Sequence, residues 1–339
     1  MSQNKKKLAI VFPGGGTRGI ISLKLLNELN NRVQKLAIEQ NKDFTPIESL
    51  VDYLGGTSIG SIIVSAIANG YTADDITNIF TNNADKILKK SSWLSLNQPY
   101  YTNQNLIRIL DEIIGKKTMG EIDKKILITS YNLEHSEKTI FSNLGCEDIR
   151  SKTHGYAWGS SDIKLIDVIL ASTAIPFILQ SREIQYARDN NGIKTYHEID
   201  GAMQNNSSVL DLVLAIHQLE KIDLKDIIII SVGSGSLNKN AIQDIQDQGL
   251  VGLINTKLVT VAHLCAVQRS IENCTKLLVE GCGGKFFRLE PKLSVDEYCK
   301  GINDSITVFD QYIGNTNDYI GQNDEYLDQI ALEIVEHFL

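Results

Sequence analysis

Ser58 lies in the run Gly56-Thr57-Ser58-Ile59-Gly60, a GxSxG string. The string alone is weak, but its setting is demanding. The apolar run Leu50-Val51-Asp52-Tyr53-Leu54 reads as a strand, and Gly55-Gly56-Thr57 as a sharp turn. Ile59, Ile62, Ile63, Ala66 and Ile67 then recur at helical spacing up to Gly70. Strand, turn and helix in that order form an elbow that presents a serine hydroxyl at a helix N-terminus, ready to attack a carbonyl. Small neighbours are needed because the two backbones nearly touch. Helix capping is the plainer use of a serine there.

A serine nucleophile needs donors for the oxyanion it creates and a base for its proton. Gly14-Gly15-Gly16-Thr17-Arg18-Gly19 follows the apolar run Leu8 to Phe12 and precedes a helical pattern from Thr17 towards Ile38. GxGxxG at that place also fits a dinucleotide loop. That reading wants an acid about 20 residues on, at the end of a second strand. Glu39 has the distance but sits in a polar helical stretch, so the context fails. What survives is a loop whose N–H groups can approach negative charge closely, beside a helix N-terminus. For the base, Asp200 ends the segment Thr195–Ile199 and is followed by Gly201 and Ala202. Small residues there let a carboxylate face a crevice at the C-terminal edge of a parallel sheet. An ordinary Asp-Gly turn is the alternative. His217 and His263 fall in helical patterns and could complete a Ser58–Asp200–His triad. His197, just before Asp200, has no specific role. The residues alone leave dyad and triad open.

The elements that must hold these groups alternate. Beyond those named, strands are expected at Ile126–Ser130, around Thr139–Ser142 and at Ile227–Val232, with a helix from Asp162 to Ser172. Residues 71–120 read as amphipathic helix, broken by the aromatic segment Trp93 to Tyr101; this segment, or one near Trp158, is a candidate membrane contact. From about residue 242 the pattern is helical, and Leu327, Ile330, Ala331, Ile334 and Val335 share one face of the last helix. Alternation of this kind implies α/β, with a mostly parallel sheet covered on both faces. The expected division is a tip over 1–7, one domain over 8–290, and a C-terminal helical extension over 291–339 packed on it.

The 339 residues are 42% hydrophobic, enough for a sizeable core, and the net charge is −8. An acidic chain argues against nucleic acid as partner and offers no general attraction to anionic membranes. Five cysteines, Cys146, Cys265, Cys274, Cys282 and Cys299, match neither a disulfide framework nor a metal-binding pair, so free thiols in a reducing compartment are expected. No His/Cys/Asp/Glu cluster has ligand spacing, so neither metal nor another cofactor is expected. No run approaches a transmembrane span, and the apolar stretch after Lys5-Lys6-Lys7 is too short for a signal peptide. A cytoplasmic protein, peripheral to a membrane when active, is the expectation; export by a specialised secretion system would leave no mark in such a sequence.

Taken together, the three motifs resemble those of the patatin-like phospholipases in order and spacing. Tyr131-Asn132-Leu133, Ile140-Phe141-Ser142, Ala171-Ser172-Thr173-Ala174-Ile175-Pro176, Asn205-Asn206 and Ile230-Ser231-Val232-Gly233-Ser234-Gly235 are similar too, so the likeness runs from about residue 8 to 290. It is nearest the branch that includes the plant storage patatins. The resemblance implies a three-layer α/β/α fold and a Ser-Asp dyad without histidine. Ser58 would be nucleophile and Asp200 base, with the N–H groups of Gly14, Gly15 and Gly16 as oxyanion hole and Arg18 beside them. It implies hydrolysis of acyl esters of phospholipids and related lipids at a membrane interface, without metal. Gly19, Gly56, Gly60, Gly201 and Ala202 complete the motifs. Ala202 where the family often has glycine, Ser207 where it has proline, and Pro13 before the loop put substrate range in question rather than the dyad. A triad esterase or thioesterase, and a regulatory or storage protein acting by binding, are the competing readings. An active lipase inside a cell would endanger its host, so an activating partner or small signal molecule is also expected.

Overall fold

The computed structural model describes residues 6–87, 103–145, 160–176, 178–187, 192–238, 256–298 and 308–339. The aromatic segment 93–101, Trp158, Cys146 and Cys299 lie outside them.

The chain opens with β1 (Lys7–Phe12) and a single 3-10 turn, Gly16–Arg18, leading into helix α1 (Gly19–Glu39). A one-turn helix α2 (Ile47–Leu50) precedes β2 (Tyr53–Thr57), which feeds α3 (Ile59–Ala68). Helices α4 (Ala73–Ile87) and α5 (Gln104–Ile114) follow, then β3 (Lys125–Asn132), β4 (Glu137–Ser142) and α6 (Leu165–Ser172). A hairpin of β5 (Arg182–Ala187) and β6 (Ile193–Asp200) leads to α7 (Val209–Gln218) and β7 (Ile227–Val232). After the two-residue β8 (Ser236–Leu237) come the long α8 (Thr256–Gly281), β9 (Lys285–Leu289), β10 (Lys292–Leu293), α9 (Phe309–Gln322) and α10 (Asp324–Phe338).

The main sheet runs β5-β6-β3-β2-β1-β7-β9, with β4 also paired to β3. Its centre, β3-β2-β1-β7-β9, is parallel, while β4 and β6 run antiparallel to β3, and β5 to β6. Side-chain alternation divides the core. Leu8, Ile10 and Phe12 of β1 pack with Ile228, Ile230 and Val232 of β7 on one face, under α1, α3 and α10. Ala9 and Val11 pack with Ile227 and Ile229 on the other, under α7. A central strand with two buried faces must be apolar throughout, which is why the run Ile227–Ile230 is so legible. The result is the expected three-layer α/β/α fold.

The C-terminal helices close the sheet. Leu327, Ile330, Ala331, Ile334 and Val335 of α10 are fully buried in the same apolar cluster as α1. Each large side chain so buried stabilises by about 1.5–3 kcal/mol. The fan of ion pairs from Arg32 to Asp324 and Asp328 is the lesser term, because its acids are 68% and 58% exposed and surface pairs contribute about 1 kcal/mol or less. The outer edge of β9 is capped as well. Arg288 N–H donates to the Tyr326 hydroxyl at 3.0 Å, and Glu290 N–H to that of Tyr319 at 3.3 Å. Edge groups are thereby denied to other strands.

Three sequence expectations need correction. Leu50 closes a helical turn, and β2 begins at Tyr53 and runs on through Gly55-Gly56-Thr57. Those glycines are not the turn; they pair in register with Val11 and Phe12 on one side and Leu127 and Ile128 on the other. Helix α7 packs so closely that a Cβ on Gly55 would stand 3.0 Å from Ser208 Oγ. Strand β5 went unseen although Ile184 and Tyr186 alternate with polar neighbours, the pattern of a strand buried on one face. Strand β9 was hidden in a stretch read as helical, because Lys285 and Arg288 interrupt its apolar residues.

Candidate active site

Ser58 occupies φ 54°, ψ −125°, between β2 and α3. A non-glycine residue at positive φ costs on the order of 1–3 kcal/mol and persists only where its surroundings enforce it. Here they do. Ser58 N–H donates to Ser172 Oγ at 2.9 Å, and Ser172 Oγ donates to Thr129 O at 2.8 Å. The Ser58 carbonyl accepts from Ser61 N–H at 2.8 Å and Ser61 Oγ at 2.6 Å. The motif glycines make room for the bend. A Cβ on Gly60 would fall 1.8 Å from Phe12 O, and one on Gly56 2.6 Å from Gly60 O. Gly19 does the same for α1, where a Cβ would meet Ile59 at 2.6 Å.

Asp200 is brought to Ser58 across β3. Thr57 pairs with Thr129 and Ser130 with Asp200, so one strand separates the two residues. The delivering strand is antiparallel to β3. Its C-terminus arrives at the edge where the parallel strands end. Ser58 Oγ donates to Asp200 Oδ2 at 2.6 Å, and Ala202 N–H to Oδ1 at 2.8 Å. Gly201 is demanded by Thr129 O, which would lie 2.5 Å from a Cβ. Asp200 is 1% exposed. Burial pushes its carboxyl up to about 7, against the opposing pull of the bonds from Ser58 and Ala202. A carboxylate of that basicity is matched to proton abstraction near neutral pH.

The glycine loop faces Ser58 from the end of β1, and its members differ. Gly14 is fully engaged: its N–H donates to Asn206 O at 3.2 Å, and its carbonyl accepts from Asn206 Nδ2 at 2.9 Å and Ser234 Oγ at 2.8 Å. Gly15 and Gly16 line the cleft beside Ser58 and Asp200. Gly16 adopts φ 58°, a left-handed turn that favours glycine. Arg18 is buried, with Nε donating to Ser234 O at 3.2 Å, Nη1 to Tyr298 O at 2.7 Å, and its guanidinium 3.6 Å above the Tyr298 ring. These contacts tie the loop to the turn between β7 and β8 and to the segment after β10.

The cleft measures ≈ 170 Å³, and Ile59, Ile62, Phe80, Leu106, Ile175 and Leu179 give it an apolar wall. No histidine whose side chain is described borders it. His217 is exposed and turned to Ile222 O at 3.1 Å. His197 pairs with Glu134 at 2.5 Å on the surface. The side chain of His263 lies outside the described residues. Among the described residues no group of three or more His, Cys, Asp or Glu is placed to hold a metal ion, and no helix is long and apolar enough to cross a membrane. Cys265, Cys274 and Cys282 are free thiols.

The structure brings together Ser58, Asp200 and the loop glycines that the sequence singles out. Sequence reasoning noted Ser172, Asn206 and Ser234 only within stretches of family likeness and assigned them no task. It missed Thr129, whose carbonyl anchors Ser172 and crowds Gly201.

A family model described as patatin-like phospholipase matches residues 10–213. Patatin-like protein 4 of Arabidopsis thaliana is 24% identical over 250 residues, covering 67% of this chain and 59% of that protein. A cGAMP-activated phospholipase of Escherichia coli is 24% identical over 231 residues, covering 65% and 60%. Patatin of Solanum tuberosum is 22% identical over 241 residues, covering 66% and 59%. Alignment with these relatives thus takes in about three fifths of their length. Human GIVD cytosolic phospholipase A2 superposes with a TM-score of 0.45 at 13% identity, covering 98% of this chain and 59% of that one. With the matched segment spanning the glycine loop, the serine elbow and Asp200-Gly201-Ala202, the chain belongs to the patatin-like phospholipase family.

Proposed function

We propose that this protein is a lipid acyl hydrolase of the phospholipase A type, working through a Ser58–Asp200 dyad. One observation carries the reading: a strained serine donates a 2.6 Å hydrogen bond to a buried carboxylate at the mouth of an apolar cleft. The scissile ester lies against Ser58 with its acyl chain along the apolar wall. Ser58 Oγ attacks the carbonyl carbon as its proton passes to Asp200. The carbonyl π pair becomes an oxyanion, held by the N–H groups of Gly15 and Gly16. Collapse of the adduct expels the alcohol or lyso-lipid, which takes the proton from Asp200. Water, deprotonated by the same carboxylate, then attacks the acyl-enzyme; the bond to Ser58 Oγ breaks, Asp200 returns the proton to Ser58, and the fatty acid is freed. Gly14 supports the loop instead of donating, since its N–H is engaged.

The substrate is a membrane lipid, reached from the cytoplasmic side by a peripheral protein that uses no metal. One relative is by its name activated by cGAMP, and control by a small signal molecule or partner belongs to the proposal. The test is fatty-acid release from phospholipid vesicles, and hydrolysis of a short soluble ester, by wild type, Ser58→Ala, Asp200→Asn and His263→Ala. Loss in the first two variants alone supports the dyad. Loss in His263→Ala with activity kept in Asp200→Asn would replace it by a histidine mechanism.

A further inference from the structure

Helix α8 turns a polar face inward where it meets the glycine loop. Gln268, Glu272 and Thr275 are buried there, at 6%, 5% and 0% exposure. An apolar face of the same shape would hold the helix as well or better, since buried polar groups gain little net stability even when fully bonded. Such a face does fix orientation, and the bonds along it form a series.

At one end Arg288, at the end of β9, pairs with Glu290 through Nη2 and with Glu272 through Nη1 at 3.2 Å. Glu290 can only accept when ionised, so the nearby Gln268 must present its nitrogen, and Nε2 donates to Glu290 Oε2 at 3.4 Å. The oxygen of Gln268 is thereby turned to Asn206, whose Nδ2 donates to it at 3.0 Å. With its nitrogen set on that side, Asn206 donates a second bond from Nδ2 to the Gly14 carbonyl at 2.9 Å. A reversed Asn206 amide would set oxygen against oxygen at both contacts. The polarity of one ion pair is thus transmitted through two amides in series.

The last link carries the consequence. The Gly14 carbonyl and the Gly15 N–H belong to one planar trans peptide, so they point in opposite directions. Drawing the carbonyl towards Asn206 and Ser234 aims the Gly15 N–H the other way, into the cleft that Gly15 lines beside Ser58. We propose that Gln268 is a positioning residue for the oxyanion donor: it reads its orientation from Glu290 and, through Asn206, keeps the Gly14–Gly15 peptide turned so that the Gly15 N–H faces the reacting carbonyl. This rests on the hydrolase reading above and assigns α8 a part in it.

The experiment compares wild type, Gln268→Leu and Gln268→Met, with Asn206→Ala alone and combined with Gln268→Leu. Methionine adapts to the space left and guards against a variant that fails to fold. With a soluble ester, kcat should fall about tenfold or more, short of the roughly 10²–10³ that outright loss of an oxyanion donor costs, while KM stays within about twofold. A trifluoromethyl ketone bearing an acyl-like chain gives the specific readout. It adds Ser58 Oγ to its carbonyl carbon, sends the proton to Asp200 and leaves an oxyanion in the hole. Its affinity should fall in step with kcat, whereas the affinity for a long-chain alkane, which fills the apolar wall and brings no charge or acceptor to the loop, should not change. In the Asn206→Ala background Gln268→Leu should add nothing, because the series is already cut. Unchanged kcat and ketone affinity in folded Gln268 variants, or losses additive with Asn206→Ala, would overturn the inference. Ser58→Ala separates the two levels. If it hydrolyses the ester like wild type, the hydrolase reading fails; if it is inactive while Gln268 variants behave normally, only this inference fails.

Discussion

Two acids stand two residues apart on β6, on the same face of the strand, and they have opposite surroundings. Glu198 is wholly buried and accepts from Ser130 Oγ, the Tyr186 hydroxyl, Asn132 Nδ2 at 3.0 Å and Thr139 Oγ1 at 3.0 Å. Asp200 has two donors, and one of them is the Ser58 hydroxyl whose proton would move. Glu198 is absent from the cleft wall that Asp200 helps form. Burial alone therefore does not make a base. A carboxylate ringed by four donors has its lone pairs engaged and serves structure, and its neighbour Tyr186 is pushed far above the usual phenol range by burial and by Glu198 itself. A carboxylate short of donors, with one side open to substrate, keeps the basicity that desolvation confers.

The largest expected effect tests that division directly. Asp200→Asn and Ser58→Ala should each lower kcat by about 10⁴, the scale seen when a hydrolase loses a member of its nucleophile pair. Glu198→Gln should instead leave kcat per folded molecule within a fewfold and lower unfolding free energy by roughly 1–3 kcal/mol, because one of its four donors loses an acceptor. Denaturant melts alongside active-site titration would show this. The comparison breaks if Glu198→Gln inactivates a well-folded protein.

Next in size is pH. The carboxyl of Asp200 titrates at about 7 in the folded chain, above the ordinary value near 3.8. Activity should therefore rise with pH through about 7 as the base ionises, in a profile of kcat/KM on a soluble ester. Stability should move the other way. A raised carboxyl pKa means that the folded state holds the proton more tightly, so the site's contribution is complete below about pH 4 and declines as pH rises to about 7. Asp200→Asn cannot ionise. It should melt roughly 2 °C or more above wild type at pH 8 and show little advantage at pH 4, read by calorimetry. Equal melting points at both pH values would show that Asp200 is not desolvated as described.

Smaller still is Tyr186→Phe, which removes one donor from Glu198. We expect a loss of about 1 kcal/mol in stability and no change in the pH profile. A displaced profile would mean that the two acids are electrostatically coupled after all. Excess EDTA should produce the smallest effect, none on soluble-ester hydrolysis, since among the described residues neither acid belongs to a group of three or more His, Cys, Asp or Glu placed to hold a metal ion. Loss reversed only by added Ca²⁺ would require a metal at one of them.

The three motifs were legible because each is local. Gly60 is dictated by Phe12 O and Gly201 by Thr129 O, and glycine is the residue that such close approaches leave possible. Central strands were legible because both faces of β1 and β7 are buried, so Leu8–Phe12 and Ile227–Ile230 are continuous apolar runs. Strand β9 was obscured by Arg288, a cation buried with Glu272 and Glu290, and composition alone cannot distinguish such a residue from a surface one. The end of β2 was misplaced because glycines usually mark turns, whereas here they serve tight packing within a strand.

The amino-acid sequence by itself determined the layer architecture, the elbow at Ser58 and the candidate acid, through patterns that act within a few residues. Only the tertiary structure decided that the Gly14 amide is engaged while Gly15 and Gly16 line the cleft. Asn206 and Ser234 reach Gly14 across 192 and 220 positions, and Gln268 reaches Asn206 across 62. Hydrogen bonds over such separations leave no periodicity or spacing to read. They depend on the direction of each donor and acceptor, and the directions exist only once sheet, loop and helix α8 are packed together.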